Sequence, residues 1–147
     1  MIAIGCDHGG LNVKNALCEH LKDRGLEVCD FGTFDTASVD YPDIAKKVCT
    51  AVQKGEAEKG ILVCGTGIGM SIAANKHKGI RAAVCSEHFS ARYTRLHNDS
   101  NVLCLGERVI GAGLACELAD LFIDTAFEGG RHMTRVNKIT EIENGGC

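Results

Sequence analysis

The sequence predicts an α/β protein in which helices cover both faces of a parallel sheet of about five strands. Short apolar runs alternate along the chain with segments whose apolar residues recur at helical spacing. The run at residues 60–64 is almost entirely apolar, as expected for a strand that is covered on both faces. Gly25 and Gly55 follow two of the predicted helices, where glycine commonly ends a helix. These observations favour alternating strands and helices over an all-helical or all-strand fold.

The predicted strands are residues 1–6, 26–31, 60–64, 80–85 and 101–105. The predicted helices between and after them are residues 11–24, 43–54, 69–76, 86–97 and 111–126. Because a helix follows each strand, the strands should run parallel in a three-layer α/β/α, Rossmann-like arrangement. Pro42, after the polar loop 32–40, is expected just before the second helix. An extra C-terminal helix, residues 131–143, has no strand behind it and could pack on a partner.

The length and composition set limits on the class of protein. The chain has 147 residues, is 45% hydrophobic and contains no low-complexity tract, which predicts a single domain over residues 1–147. Its net charge of −3 and scattered basic residues predict no nucleic-acid partner. The first residues lack the features of a secretory signal, and no apolar run approaches the roughly 18 residues of a membrane span. We therefore expect a cytoplasmic protein without a membrane partner.

The nine cysteines are expected to be reduced thiols, because their number is odd and none forms a Cys-x-x-Cys pair. Four of them lie in apolar stretches and are expected to be buried, namely Cys18, Cys49, Cys104 and Cys116. Cys64, and more weakly Cys6, has unusual surroundings. A thiol redox protein is therefore disfavoured.

A glycine-rich loop follows the third predicted strand and has the sequence Cys64-Gly65-Thr66-Gly67-Ile68-Gly69-Met70-Ser71. Met70 stands where a dinucleotide fingerprint needs its third glycine, and no Walker pattern is present, so no nucleotide cofactor is expected. Glycines let backbone N–H groups approach an anion, and a nearby helix N-terminus favours a thiolate. Cys64 is thus a candidate base or nucleophile, although it could merely end a buried strand.

Three further groups of residues could bind an anionic polyol. Asp7 and His8 follow the first strand, where both could hydrogen-bond a polyol and a protonated His8 could bind phosphate, or where Asp7 could cap a helix beside an exposed histidine. Arg131 and Arg135 are four residues apart on the last helix and share one face, so they could bind a phosphate or be solvated. Other candidates at element ends are Arg108, His97 and Asn98. The remaining histidines lack metal-ligand spacing, which predicts catalysis without a metal.

These motifs occur together in an order that resembles one enzyme family. The matching segments are Gly5-Cys6-Asp7-His8-Gly9-Gly10, the loop from Cys64 to Gly69, Ser71-Ile72-Ala73-Ala74-Asn75-Lys76, His97-Asn98-Asp99 and Gly129-Gly130-Arg131-His132. They are similar to the type B ribose-5-phosphate isomerases along nearly the whole chain. The resemblance implies interconversion of ribose 5-phosphate and ribulose 5-phosphate, a step of the pentose phosphate pathway, through an enediolate intermediate.

The resemblance also implies a role for each candidate residue. Cys64 would be the base, with Thr66 orienting the thiol or the substrate. His97 would open the furanose ring with the help of Asp7. The remaining substrate-binding set would be His8, Gly65, Gly67, Ile68, Gly69, Ser71, Asn98, Arg108, Arg131 and Arg135, in which Asn98 and the glycine-loop N–H groups stabilise the oxyanion and the basic residues hold the phosphate. Cys64 together with the neutral Met70 places the chain in the thiol branch of this family.

Members of this family are dimers with shared active sites, so a homodimer is expected here, and a higher oligomer is possible. Related members isomerise allose 6-phosphate or galactose 6-phosphate, which leaves the length of the substrate open. A sugar-phosphate sensor without catalytic activity is the alternative from another class. Such a sensor would not need Cys64 or His97.

Overall fold

The computed structural model describes residues 1–146 and contains five strands and six helices in this part of the chain. The strands are β1 (Ile2–Cys6), β2 (Val28–Asp30), β3 (Lys59–Cys64), β4 (Ala82–Val84) and β5 (Val102–Gly106). The helices are α1 (Leu11–Asp23), α2 (Tyr41–Gln53), α3 (Ile68–Ala74), α4 (His88–Asn98), α5 (Ala112–Asp124) and α6 (Arg131–Glu143). This alternation confirms the α/β class that the apolar periodicity predicts.

The five strands form one parallel sheet in the order β2-β1-β3-β5-β4. Cys6 of β1 is aligned with Val63 of β3, and Cys64 is aligned with Gly106 of β5. Because all strands point the same way, the loops after β1, β3 and β5 leave the sheet side by side at its carboxyl edge. Ligands of open parallel sheets bind at this edge.

Alternate residues of the central strands pack into two separate cores. In β3, Ile61 and Val63 face α1 and α5, whereas Leu62 and Cys64 face α2 and α3. All four side chains are buried, which explains the continuous apolar run in the sequence. Helices therefore cover both faces of the sheet, as expected for three layers.

Several predicted boundaries are wrong by a few residues. The edge strands β2 and β4 have three residues each, because their regular ladders with β1 and β5 include only residues 28–30 and 82–84. Pro42 lies inside the first turn of α2 instead of before it, a position where its missing N–H costs no helical hydrogen bond. Helix α4 begins two residues later than predicted, because Glu87 caps it by accepting hydrogen bonds from the N–H groups of Phe89 and Ser90.

The last helix, α6, packs on α4 and adds no strand to the sheet. It buries His132 and Val136, while Met133, Ile139 and Ile142 remain exposed, Ile142 to 70%. Within residues 1–146, no helix has the length and apolar character needed to cross a bilayer.

Candidate active site

The thiol of Cys64 lies at the carboxyl end of β3, below the first turn of α3. Its side chain is buried, with 5% of the residue exposed. The N–H of Gly67 donates a hydrogen bond to Cys64 Sγ over 3.1 Å. Gly67 has a φ of 78°, which a residue with a side chain rarely adopts, so the glycine is needed to aim this N–H at the sulfur. A backbone donor of this kind stabilises negative charge on sulfur.

The glycine-rich loop is held in place by its own side chains and by β5. Thr66 Oγ1 accepts a hydrogen bond from the N–H of Ile68 over 3.3 Å, and Ser71 Oγ donates to the carbonyl of Ile68 over 2.8 Å. A Cβ on Gly106 would lie 2.6 Å from the Thr66 backbone, so the loop can approach β5 only because residue 106 is glycine. The Ser71 hydroxyl therefore orders the loop, while the exposed Thr66 remains accessible.

Asp7 and His8 lie beside this loop because β1 is the neighbour of β3. The N–H of Asp7 donates to the carbonyl of Val63 over 3.1 Å, and the largely buried Asp7 carboxylate accepts from the N–H of Gly9 over 2.8 Å. His8 is exposed, and its Nδ1 accepts from the N–H of Val39 over 3.4 Å. Among residues 1–146, no other group hydrogen-bonds to the His8 side chain, so its Nε2 is open to a ligand.

Arg108 completes the group at this edge. Its N–H donates to the carbonyl of Gly65 over 3.0 Å, and its exposed side chain lies along Gly65. The structure thus brings most of the candidate residues to the carboxyl edge of one sheet. We call this group the carboxyl-edge half, and it comprises Asp7, His8, Cys64, Gly65, Thr66, Gly67, Ile68, Gly69, Ser71 and Arg108.

The other four candidates lie at the opposite edge of the sheet. Arg81 directly precedes β4, and its Nε donates to the carbonyl of Asn98 over 3.0 Å, which places the end of α4 at the amino ends of the strands. Along β5, the four steps from Val102 to Gly106 cover roughly 13 Å. Within one chain, these four residues therefore lie at the other edge of the sheet from Cys64 and do not contact it. We call them the amino-edge half, and they are His97, Asn98, Arg131 and Arg135.

The imidazole of His97 lies in a cluster with Glu128 and His132. The rings of His97 and His132 are stacked, with centroids 4.1 Å apart and planes at 10°. Glu128 Oε2 is 3.6 Å from His97 Nε2 and 3.5 Å from His132 Nε2. His132 is 5% exposed, and its Nε2 is buried without a partner in hydrogen-bond geometry. The loss of hydration lowers the pKa of His132, and the charges of His97, Arg131 and Arg135 lower it further against the opposing effect of Glu128.

This cluster has three atoms that could ligate a metal, all within 4.8 Å of one another. The lone pair of an imidazole nitrogen lies in the plane of its ring, so one ion cannot be in plane with two rings stacked in parallel. The guanidinium of Arg135 lies 3.4 Å from His132 Nδ1 and adds positive charge. The cluster therefore suits an anion better than a cation. That catalysis needs no metal stays a prediction.

The eight cysteines within residues 1–146 are free thiols. Burial raises the pKa of Cys6, a weaker candidate from the sequence, to about 12 and so disfavours its thiolate form. Burial likewise raises the pKa of Cys49 to about 12 and that of Cys18 to about 11. Cys116 was expected to be buried and is only partly so, because it lies towards the solvent side of α5. Cys147 lies outside the described residues.

Four residues that contact the candidate residues have no site role predicted from the sequence: Gly106, Glu107, Glu128 and His132. Gly106 and Glu107 directly follow a predicted strand beside Arg108, so their position at the carboxyl edge was a usable signal. Glu128 and His132 are four residues apart across a helix start, which was a weaker signal. The stacking of His132 on His97, 35 positions away in sequence, had no local signal.

The three-layer α/β fold places the carboxyl-edge half where such folds bind ligands, and comparison with known proteins identifies the family. The sequence profile of the family described as Ribose/Galactose Isomerase matches residues 2–139. The chain therefore belongs to this isomerase family.

Individual relatives agree with this assignment. Ribose-5-phosphate isomerase B of Escherichia coli strain K12 is 53% identical over 142 residues, which cover 97% of this chain and 95% of that protein. The solved ribose-5-phosphate isomerase B of Clostridium thermocellum is 56% identical with a TM-score of 0.97, covering 98% of this chain and 97% of that one. D-erythrulose-4-phosphate isomerase of Pectobacterium atrosepticum is 43% identical over 144 residues, which cover 97% of this chain and 95% of that protein.

Proposed function

We propose that this protein interconverts ribose 5-phosphate and ribulose 5-phosphate, with Cys64 as the base. The observation that carries the proposal is the buried Cys64 thiol, which accepts a hydrogen bond from Gly67 N–H beside Asp7, His8 and Arg108. The names of the relatives support the substrate class. A sensor without catalytic activity would not need a thiol held by a backbone donor next to a phosphate-binding arginine.

The proton transfer follows from the position of the thiolate. In the open-chain aldose, the Cys64 thiolate takes the proton from C2, and the C2–H electron pair forms the C1–C2 double bond of the enediolate. The same sulfur returns the proton to C1, while a proton moves from O2 to O1 to give the ketose. The loop N–H groups, fixed before the substrate arrives, stabilise the negative charge on oxygen.

The amino-edge half is proposed to act on the substrate bound at a second copy of the chain. Two observations support a homodimer with shared sites. The two halves lie at opposite edges of one sheet, and α6 exposes Met133, Ile139 and Ile142 next to its buried face. Dimers of this kind have twofold symmetry, so each copy would give its carboxyl-edge half to one site and its amino-edge half to the other. A higher oligomer is compatible with this arrangement.

In the completed site, His97 would transfer the protons that open the furanose ring, assisted by Asp7 of the other copy. Asn98 would donate a hydrogen bond to the oxyanion. The phosphate dianion would be held by His8, Arg108, Arg131 and Arg135, since several cationic donors are needed to neutralise it. The described free thiols agree with a reducing, cytoplasmic setting.

The length of the sugar is the part of the proposal that relatives leave open. Allose 6-phosphate and galactose 6-phosphate are the alternatives from the same family by resemblance. The relative named D-erythrulose-4-phosphate isomerase adds a four-carbon sugar phosphate to these alternatives. All of these substrates would use the same proton transfer and differ only in the distance from the phosphate to the reacting carbons.

Turnover of ribose 5-phosphate, allose 6-phosphate and erythrulose 4-phosphate, measured in the presence of a chelator, tests this proposal. The wild type should isomerise ribose 5-phosphate fastest, and Cys64→Ala should lose activity by at least about a thousandfold. Phosphate affinity should change little, because the thiol does not bind the phosphate. Unchanged turnover in Cys64→Ala would remove Cys64 as the base, and no turnover in the wild type would favour the sensor.

A further inference from the structure

The carboxylate of Glu107 caps a helix that is distant in sequence. Helix α1 begins after Gly10, which has no side chain to cap it. Glu107 Oε2 accepts a hydrogen bond from the N–H of Val13 over 3.0 Å, and its Oε1 accepts from Asn12 Nδ2 over 2.8 Å. An N–H group of the first helical turn is thereby satisfied from 94 positions away.

The backbone around Glu107 is bound just as firmly to the thiol loop. The N–H of Glu107 donates to the carbonyl of Cys64 over 2.9 Å, and the next N–H, that of Arg108, donates to the carbonyl of Gly65 over 3.0 Å. Glu107 thus connects three segments of the carboxyl-edge half: the start of α1 after His8, the thiol loop, and the segment that carries Arg108.

The direction of the Glu107 carboxylate also decides where an anion can bind. The negative charge of Glu107 at the start of α1 lies at the positive end of that helix dipole and disfavours a second anion there. Within residues 1–146, no carboxylate lies within 4.0 Å of the Arg108 guanidinium. The guanidinium is therefore available to an anion, although a glutamate precedes it in the chain.

We propose that Glu107 is a positioning residue for the phosphate, which fixes Arg108 and the loop of His8 relative to each other and leaves Arg108 unpaired. The inference rests on the proposed function, in which these two residues bind the substrate phosphate. Glu107 itself touches no substrate and acts through Arg108.

The test measures the dissociation constant of inorganic phosphate by calorimetry and, separately, kcat and KM for ribose 5-phosphate. Glu107→Ala should weaken phosphate binding and raise KM by about tenfold each, with kcat within about twofold of wild type. In Glu107→Gln, phosphate affinity and KM should stay within about threefold of wild type. The glutamine carbonyl oxygen can still accept from the N–H of Val13, and its NH₂ group can donate to Asn12 Oδ1 once the Asn12 amide rotates. Glu117→Ala, which removes an exposed glutamate paired with His88, is the matched control and should change neither value.

A double-mutant cycle with Arg108→Ala separates positioning from a purely structural role. If Glu107 acts through Arg108, adding Glu107→Ala to Arg108→Ala should weaken phosphate binding by less than about twofold more. An equal loss in both backgrounds, or a lower melting temperature with unchanged phosphate affinity, would overturn the proposal. Calorimetry needs no turnover, so a failure of isomerisation would refute the proposed function without deciding the role of Glu107.

Discussion

The imidazole of His97 is proposed to act on the closed form of the sugar only, which gives it a distinct kinetic signature. Proton abstraction by Cys64 needs the open chain, whereas ring opening needs an acid and a base at the furanose oxygens. His97→Ala should therefore reduce kcat/KM for ribose 5-phosphate by about a hundredfold or more and affect an open-chain analogue much less. Initial rates with both substrates measure the difference, and equal losses on both would contradict ring opening by His97.

The buried imidazole of His132 should make the stability of the protein depend on pH. Its pKa is lowered in the folded state, so the unfolded chain binds the proton more readily. As the pH falls through about 6.5, the unfolded state gains a proton first, and the free energy of unfolding decreases. Above that pH, both states leave the group neutral and its contribution to folding is fully present.

Urea unfolding at a fixed protein concentration, from about pH 8 to about pH 5.5, measures this dependence. The decrease should be smaller in His132→Asn, which lacks the titrating group. His88→Gln, which changes an exposed histidine on α4, should keep the slope of the wild type. A slope in His132→Asn equal to that of the wild type would assign the pH dependence to other groups.

At the scale of the elements, the contact between β5 and the thiol loop depends on the missing side chain of Gly106. A Cβ there would lie 2.6 Å from the Thr66 backbone, and backbone atoms cannot move aside as a flexible side chain can. Gly106→Ala should destabilise the protein by about 1–3 kcal/mol. Its kcat should also fall, because the loop that holds Cys64 must shift.

Gly113→Ala is the matched control for this substitution. Gly113 lies in α5, and a Cβ there would meet nothing within 4 Å. Alanine favours the helix by up to about 1 kcal/mol over glycine, so this variant should be as stable as the wild type or slightly more stable. Thermal unfolding and turnover of both variants test the contrast. If Gly106→Ala were as stable and as active as Gly113→Ala, the close approach of the thiol loop to β5 would matter for neither stability nor turnover.

Apolar periodicity was sufficient to predict the parallel sheet and the residues at its carboxyl edge. Residues 60–64 are continuously apolar because both faces of β3 are covered, and any residue after such a strand must emerge at that edge. The edge strands were predicted too long because apolar periodicity reports burial, whereas the bounds of a strand depend on regular hydrogen-bond pairing with its neighbour. The N–H of Phe31 still donates to the carbonyl of Ile4, and that of Cys85 to the carbonyl of Cys104, so contact with the sheet continues past the last residues of β2 and β4.

The sequence predicts the edge of the sheet at which a candidate residue lies better than the distances between candidate residues. His97 closes a helix that runs back from the carboxyl edge, so its place at the amino edge follows once the strands are known to be parallel. The stacking of His97 on His132 does not follow, because it depends on how α6 packs across α4. The long hydrogen bonds of Glu107 escaped prediction for the same reason, since nothing in a local pattern reports a contact 94 positions away.

For the whole molecule, the separation of the two halves predicts that two inactive variants can restore each other. In a dimer of Cys64→Ala with Arg131→Ala, one site combines both defects, and the other combines an intact Cys64 with an intact Arg131. A mixture of equal amounts, after exchange of subunits, should therefore recover about a quarter of wild-type activity. Mixing Cys64→Ala with Arg108→Ala provides the control, because both changes lie in the carboxyl-edge half and every site of the mixed dimer keeps one of them. Recovery in the first mixture alone would support shared sites, whereas no recovery despite demonstrated exchange would contradict them.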